Sequence, residues 1–213
     1  MFTYETKRKY RQNLEEDENV LTEPAAILGE DLSASEKNNS IFLYEFINQQ
    51  SILKVRKKID NKIVEYRKFL VENNIDINTE SNLHINLYIN SYGGSVSDSF
   101  NLHDHIKRCP IPVYTYIEGI AASAATIISI AGKKRFMTPN SMLMIHQLSS
   151  WFGGKYEEFQ DEKNNLDLIM NMIKKIYIDN TKLNVRKLNS LLKRDIYLDS
   201  DKCLEYGFVD GVV

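Results

Sequence analysis

Residues 83–96, LHINLYINSYGGSV, alternate apolar and polar side chains and then reach two consecutive glycines. Apolar residues at every second position predict a β-strand with one face against a core. Gly93 and Gly94 predict a tight turn, and the helix that follows must end before Pro110. A strand, a turn and a helix in succession are one building unit of an α/β fold.

The same unit recurs on both sides of this stretch. Upstream, the apolar run at residues 41–44 predicts a strand, and apolar residues three and four apart over 52–70 predict one face of a helix. Downstream, residues 113–125, VYTYIEGIAASAA, combine a strand with small residues at the start of a short helix. Residues 134–137 and 142–145 predict two more strands. This rhythm predicts an α/β fold in which helices cover a layered sheet.

Composition and charge narrow the possible functions. The 213 residues are 43% hydrophobic and 26% charged, which suits a globular protein with a substantial core. A net charge of -2 provides no basic field for nucleic acid, and no apolar run is long enough for a membrane span. The amino terminus lacks the apolar segment of a secretory signal. We therefore expect a cytoplasmic protein, with an organelle or a host cell as alternative locations.

The two ends of the chain differ in character. Residues 1–38 are polar with mixed charge, which predicts a mobile arm ahead of a folded domain at residues 39–213. A long helix is predicted at about residues 155–180, because apolar residues within it recur at helical spacing. Leu168 and Met172 begin a second apolar stripe on this helix. A helix that is apolar on two sides needs two covers, so its second face contacts either a neighbouring subunit or a wide core.

The strongest functional signal is Ser123, which follows a strand among alanines and glycine. Small neighbours leave its hydroxyl accessible, and the amide of Ala124 at the start of a helix points to where an oxyanion would form. Gly94 could supply a second amide, although a glycine pair is also common in a plain turn. A serine hydroxyl needs a base to take its proton, so a histidine is expected nearby.

The chain has four histidines from which to choose this base. His84 alternates with polar positions on a strand, and His103 and His105 on the following helix are expected at the surface. His146 ends the apolar strand at 142–145, the kind of edge where such sheets place reactive groups. A purely structural role for His146 remains an alternative.

A third residue, an acid, would orient the histidine. Because the chain has 29 Asp and Glu residues, composition cannot select it. Asp195 stands between a helical stretch and the apolar residues 196–198, where we expect a half-buried carboxylate, and Asp199 and Asp201 are alternatives. Neither a phosphate loop nor an H-E-x-x-H metal motif occurs, and Cys109 and Cys203 form no C-x-x-C pair.

Four segments resemble the proteolytic subunit of the Clp protease family. They are LYINSYGGSV, IEGIAASAA, AGKKRFMTPNSMLMIHQ and RDIYLDSDKCLEYGFVD, within residues 85–147 and 195–210. They cover less than half of the chain but occur in the family's order. The resemblance implies an α/β superhelix of strand–strand–helix units, shared with crotonases, with a protruding helical handle at about 155–180.

The resemblance also implies a serine endopeptidase. In it, Ser123 would be the nucleophile, His146 the base and Asp195 the acid, and the amides of Gly94 and Ala124 would form the oxyanion hole. Such subunits assemble as heptameric rings that stack in pairs into a tetradecamer. An ATP-driven AAA+ unfoldase threads unfolded polypeptides into the enclosed sites. The peptidase itself would need no metal or nucleotide, and the arm at 1–38 would belong to the axial gate.

Some positions depart from the family pattern. The chain between residues 42 and 88 is longer than usual. Tyr88 matches an aromatic residue of the unfoldase-docking pocket, but Arg108, preceded by Lys107, stands where a second aromatic is usual. Lys193 replaces an acidic residue associated with the contact between rings. Weak docking of a standard unfoldase is therefore expected.

Three other functions compete with this interpretation. A crotonase-like acyl-CoA enzyme would share the fold and paired amides but would not need a serine–histidine pair. A viral head-maturation peptidase of the same superfamily would cleave a capsid scaffold without an unfoldase. A non-enzymatic subunit would modulate an active partner.

Overall fold

The computed structural model describes residues 39–73 and 83–213, so the predicted arm at residues 1–38 lies outside the described residues. The described part forms these elements, in chain order: β1 Ser40–Leu43, α1 Gln49–Glu72, β2 Ile85–Ser91, α2 Val96–Lys107, β3 Val113–Ala122, α3 Ala124–Ser129, β4 Lys134–Met137, β5 Met142–Ile145, α4 Tyr156–Asn180, α5 Val185–Leu192, β6 Ile196–Leu198, α6 Ser200–Tyr206 and β7 Gly211–Val212. The predicted alternation of strands and helices is confirmed.

The strands form one sheet that is mostly parallel. Its main path is β1-β2-β3-β4-β7, and every neighbouring pair along it is parallel. Among the described strands, β6 alone runs antiparallel, against β5. Parallel neighbours need crossover connections, which the intervening helices provide. The predicted α/β class is confirmed.

The long strand β3 changes partner along its length. Its first half, Tyr114–Ile117, pairs with β4, whereas Ile120–Ala122 pairs with β5. Between the halves lies Gly119, at φ +83°, where an added Cβ would lie 3.0 Å from the Asn90 side chain. The break lets β3 pair with β4 along its first half and with β5 at its end, which brings the end of β5 beside the end of β3.

Helix α1 covers the sheet as its apolar periodicity predicted. Its buried side chains include Ile52, Val55, Ile59 and Leu70. A capping box fixes its start, because the Asn48 side chain accepts a hydrogen bond from the Ser51 amide and the Ser51 side chain accepts one from the Asn48 amide.

The expected surface position of His103 and His105 on α2 is wrong. His103 is 7% exposed, and its Nδ1 lies 3.1 Å from Asp104. His105 is partly buried, and its Nε2 lies 3.1 Å from Asp60 of α1. For His105 the cover is α1, which packs against α2. Burial lowers the pKa of both imidazoles. Neither is near Ser123 in the cavity described below.

Helix α4 falls in the segment predicted as the handle. Ile173 and Tyr177, both in its C-terminal half, are buried. The second stripe is uncovered in the protomer, since Leu168 is 61% and Met172 45% exposed. The two-sided apolar pattern therefore corresponds to one core contact and one solvent-facing apolar surface.

Candidate active site

Ser123 occupies a sharp turn between β3 and α3. Its backbone, at φ 54° and ψ -125°, is in a region that residues other than glycine rarely adopt, at a typical cost of about 1–3 kcal/mol. The surrounding backbone holds the turn, because the Ser123 amide donates to the Met144 carbonyl at 2.8 Å and the Ser123 carbonyl accepts from the Thr126 amide at 3.0 Å. The turn exposes the side chain at the end of the strand, as a nucleophile requires.

His146 directly follows β5 and meets this serine. Its Nε2 lies 2.8 Å from Ser123 Oγ, a normal hydrogen-bonding distance. The sheet causes the contact, because β5 pairs with Ile120–Ala122 immediately before Ser123. Two residues 23 positions apart are thereby placed at adjacent strand ends.

Asp195 lies on the other side of the imidazole. Ile145 of β5 pairs with Ile196 of β6 in antiparallel register. His146 follows Ile145 and Asp195 precedes Ile196, so these two residues lie side by side. Asp195 Oδ1 is 3.5 Å from His146 Nδ1, which is longer than a typical hydrogen bond. The carboxylate is 78% exposed, so the expectation of a half-buried acid is wrong for the protomer. Strand β6 is a short edge that only β5 pairs with, so it gives the carboxylate little cover.

The two alternative acids are engaged elsewhere or lack this contact. Asp199 caps α6, since its Oδ1 accepts a hydrogen bond from the Lys202 amide at 2.9 Å. Asp201 lies in the first turn of the same helix. Among the described residues, Asp195 is the acid that forms an ion-pair contact with His146.

Gly94 and Ala124 line the same cavity as the serine and the histidine. Ala124 is the first residue of α3, so its amide has no acceptor within the helix and is available to an anion. An added Cβ at Gly93 would lie 2.8 Å from Ser123 Cβ, and one at Gly94 would overlap the Ile47 carbonyl. Packing within the protein therefore requires glycine at both positions, whether or not a substrate also lies against this backbone.

The cavity beside Ser123 is small and has apolar walls. Its volume is about 60 Å³, and Val96, Ile127, Ile173 and Tyr177 contribute to its lining. Burial raises the pKa of Tyr177, so the phenol stays protonated and can donate to Thr126 Oγ1, 2.5 Å away. The sequence analysis missed Thr126 and the role of Tyr177, because their contact spans 51 positions and no local pattern signals it.

The two predicted docking residues lie on different surfaces of the protomer. Tyr88 stacks between Phe42 and Tyr116, with ring centroids 5.2 and 4.9 Å away, and Phe136 extends the row from Tyr116. Arg108 instead ends α2 and lines a separate groove between α1 and α2. Within the protomer, Tyr88 and Arg108 therefore do not line one common pocket.

Within residues 39–73 and 83–213, no group of three His, Cys, Asp or Glu side chains is arranged to hold a metal ion. No helix in that part of the chain is long and apolar enough to cross a membrane.

Comparison with known proteins identifies the family. The model of the Clp protease family matches residues 35–213, which is most of the chain. The chain therefore belongs to the Clp protease family. The resemblance in four short segments is thus confirmed over the whole described part.

Individual relatives agree with this assignment. The chain is 32% identical over 125 residues to the ATP-dependent Clp protease proteolytic subunit 1 of Protochlamydia amoebophila. It is 35% identical over 125 residues to the corresponding subunit of Streptococcus suis. These matches cover 57% of this chain and 61% and 64% of the relatives, so the chain spans less than two thirds of their length.

The fold agrees as well. A solved structure of a ClpP1 variant from Listeria monocytogenes superposes with a TM-score of 0.68 at 26% sequence identity. The superposition covers 85% of this chain and 94% of that one. The predicted Clp-type arrangement of strands and helices is confirmed.

Proposed function

We propose that this chain is a serine endopeptidase, the proteolytic subunit of a Clp-type protease. The observation that carries the proposal is the 2.8 Å contact between Ser123 Oγ and His146 Nε2, at a strained strand-to-helix turn in a chain of the Clp protease family. A crotonase-like enzyme has no use for this pair, so the contact and the family both favour the peptidase.

The first chemical step is acylation of the serine. Ser123 Oγ attacks the carbonyl carbon of the scissile peptide while its proton passes to His146 Nε2. The carbonyl oxygen becomes an oxyanion and accepts hydrogen bonds from the amides of Gly94 and Ala124. As the C–N bond breaks, His146 returns the proton to the departing amine, which leaves an ester on Ser123.

The second step reverses these roles with water. His146 takes a proton from a water molecule, the resulting hydroxide attacks the ester, and Ser123 regains its proton as the acid product leaves. Asp195 stabilises the imidazolium that forms in both steps. Its contact with Nδ1 is long and exposed in the protomer, and we propose that it shortens when substrate or a neighbouring subunit covers it.

The proposed function also includes self-assembly of this chain and an unfoldase as its partner. The exposed second stripe of α4 supports self-assembly of the subunits. In the proposed assembly, the subunits form rings that stack in pairs, and the substrates are unfolded polypeptides. The aromatic row through Tyr88 is a surface for apolar loops of an AAA+ unfoldase. ATP would be used by that partner alone, and the chain itself would work without metal or cofactor, in the cytoplasm.

A fluorophosphonate probe and a fluorogenic peptide test the proposal together. The wild-type protein should be labelled at Ser123 and should cleave the peptide unaided, whereas Ser123→Ala should do neither. Labelling without cleavage of any peptide would favour the modulating subunit, and cleavage restricted to a capsid scaffold would favour the head-maturation peptidase. If a folded, assembled sample is not labelled and cleaves no peptide, the proposed peptidase function is refuted.

A further inference from the structure

The cavity beside the nucleophile is small relative to the bulkier apolar side chains of a polypeptide. Its volume is about 60 Å³. An engineered protein cavity that takes benzene has a volume of roughly 150 Å³. The cavity beside Ser123 has less than half of that volume, so a methyl or isopropyl group fits it more readily than a phenyl ring does.

Tyr177 forms part of the wall of this cavity. Its side chain is 2% exposed and packs edge-on against Phe208, with ring centroids 6.1 Å apart, so it cannot swing away into the core. Its hydroxyl is hydrogen-bonded to Thr126 Oγ1 at 2.5 Å. Both ends of the side chain are therefore fixed, and the wall is rigid.

The same hydrogen bond connects this wall to the nucleophile. Thr126 Oγ1 donates to the Ser123 carbonyl at 2.6 Å, so its oxygen remains free to accept from the Tyr177 phenol. The chain of bonds from Tyr177 through Thr126 to Ser123 fixes the distance between the wall and the attacking oxygen. A substrate side chain has to fit between them.

We propose that Tyr177 is a specificity-determining residue that restricts cleavage to bonds following short side chains, alanine and valine above phenylalanine. The proposal rests on the peptidase function, because it assigns the cavity to the side chain that precedes the scissile bond. One methylene group too many or too few in an apolar pocket typically changes kcat/KM by about 10- to 200-fold. A phenyl group is larger than an isopropyl group by more than one methylene, so the kcat/KM of the valine peptide should exceed that of the phenylalanine peptide by at least tenfold.

The test uses the full-length assembled protein and a matched peptide series. The peptides differ only in the residue before the cleaved bond, which is alanine, valine, leucine or phenylalanine. The wild type should cleave the alanine and valine peptides with a kcat/KM at least tenfold above that of the phenylalanine peptide. Tyr177→Leu should lower this ratio by tenfold or more, and Tyr177→Phe, which keeps the ring, should retain the preference.

Stability and reactivity are measured in parallel. Because Tyr177 is buried, thermal unfolding of each variant shows whether the fold persists, and Tyr177→Met supplies a flexible replacement if the leucine variant does not fold. Wild-type cleavage of the phenylalanine peptide as fast as the valine peptide overturns the proposal. So does a folded Tyr177→Leu or Tyr177→Met protein with an unchanged ratio.

Failure of the peptidase function gives a different result. If the wild type cleaves none of the four peptides and Ser123 does not react with a fluorophosphonate, the underlying function is wrong. If Ser123 reacts and the peptides are cleaved without regard to size, only the assignment of Tyr177 is wrong.

Discussion

Replacing Asp195 with asparagine removes one negative charge while keeping the size of the side chain. At the observed 3.5 Å, two unit charges attract by about 1.2 kcal/mol in a water-like dielectric and by about 4.7 kcal/mol at an effective dielectric constant of about 20. Those energies correspond to roughly 8-fold and 3,000-fold in rate. Because the carboxylate is 78% exposed, we expect kcat to fall by about 10- to 100-fold, less than for a buried triad acid.

The assay is steady-state cleavage of a fluorogenic peptide by the assembled protein. Asp199→Asn is the matched control, because asparagine also caps a helix and α6 should keep its start. Its kinetics should stay at the wild-type level. Normal kinetics in Asp195→Asn together with a loss in Asp199→Asn would refute the reasoning and move the acid to Asp199. A loss near 10,000-fold in Asp195→Asn would instead show that assembly buries the carboxylate.

Three further substitutions test the nucleophile, the assembly and the docking surface. Ser123→Ala should lower kcat by several orders of magnitude and leave the melting temperature close to that of the wild type; retained cleavage would exclude Ser123 as nucleophile. Leu168→Asp, on the exposed stripe of α4, should lower the oligomer mass in native mass spectrometry, since each subunit loses roughly 1.5–3 kcal/mol of apolar burial; an unchanged mass would place the interface elsewhere. Arg108→Phe should strengthen binding of a standard Clp unfoldase, which the natural sequence should bind weakly; tight binding by both proteins would show that Arg108 is outside the docking pocket.

Local patterns were sufficient to predict β1 to β5 and to select Ser123 and His146 as candidates, whereas β6 and β7 were not predicted. Small residues after a strand indicate a tight turn, and an apolar run that ends in histidine indicates a strand end. Both signals lie within a few residues of the side chain concerned. The antiparallel partner of β5 gave no such signal, so Asp195 was selected by resemblance, and its exposure was predicted wrongly.

Long-range packing explains the other differences. The partial burial of His105 depends on how α1 lies over α2, and the Tyr177–Thr126 bond joins two helices at positions 51 residues apart. Neither contact leaves a periodic trace, because each involves one side chain per element. The apolar spacing along α4 indicates a helix with a buried face, and Tyr177 lies on that face, but the spacing could not show that this residue also lines the cavity beside Ser123.

Three exposed features of the protomer have a common explanation in the proposed assembly. The Asp195 carboxylate, the second stripe of α4 and the outer residues of β6 all face solvent; Ile196 is 48% and Tyr197 50% exposed. Ile196 and Tyr197 adjoin Asp195, so a subunit that covers these two side chains would also remove water from the Asp195–His146 contact. A contact in a lower dielectric is stronger, and the imidazolium would then be better stabilised. Assembly would thus raise activity as well as enclose the sites, and the effect of Asp195→Asn on kcat should be larger in the oligomer than in a Leu168→Asp protein that has dissociated.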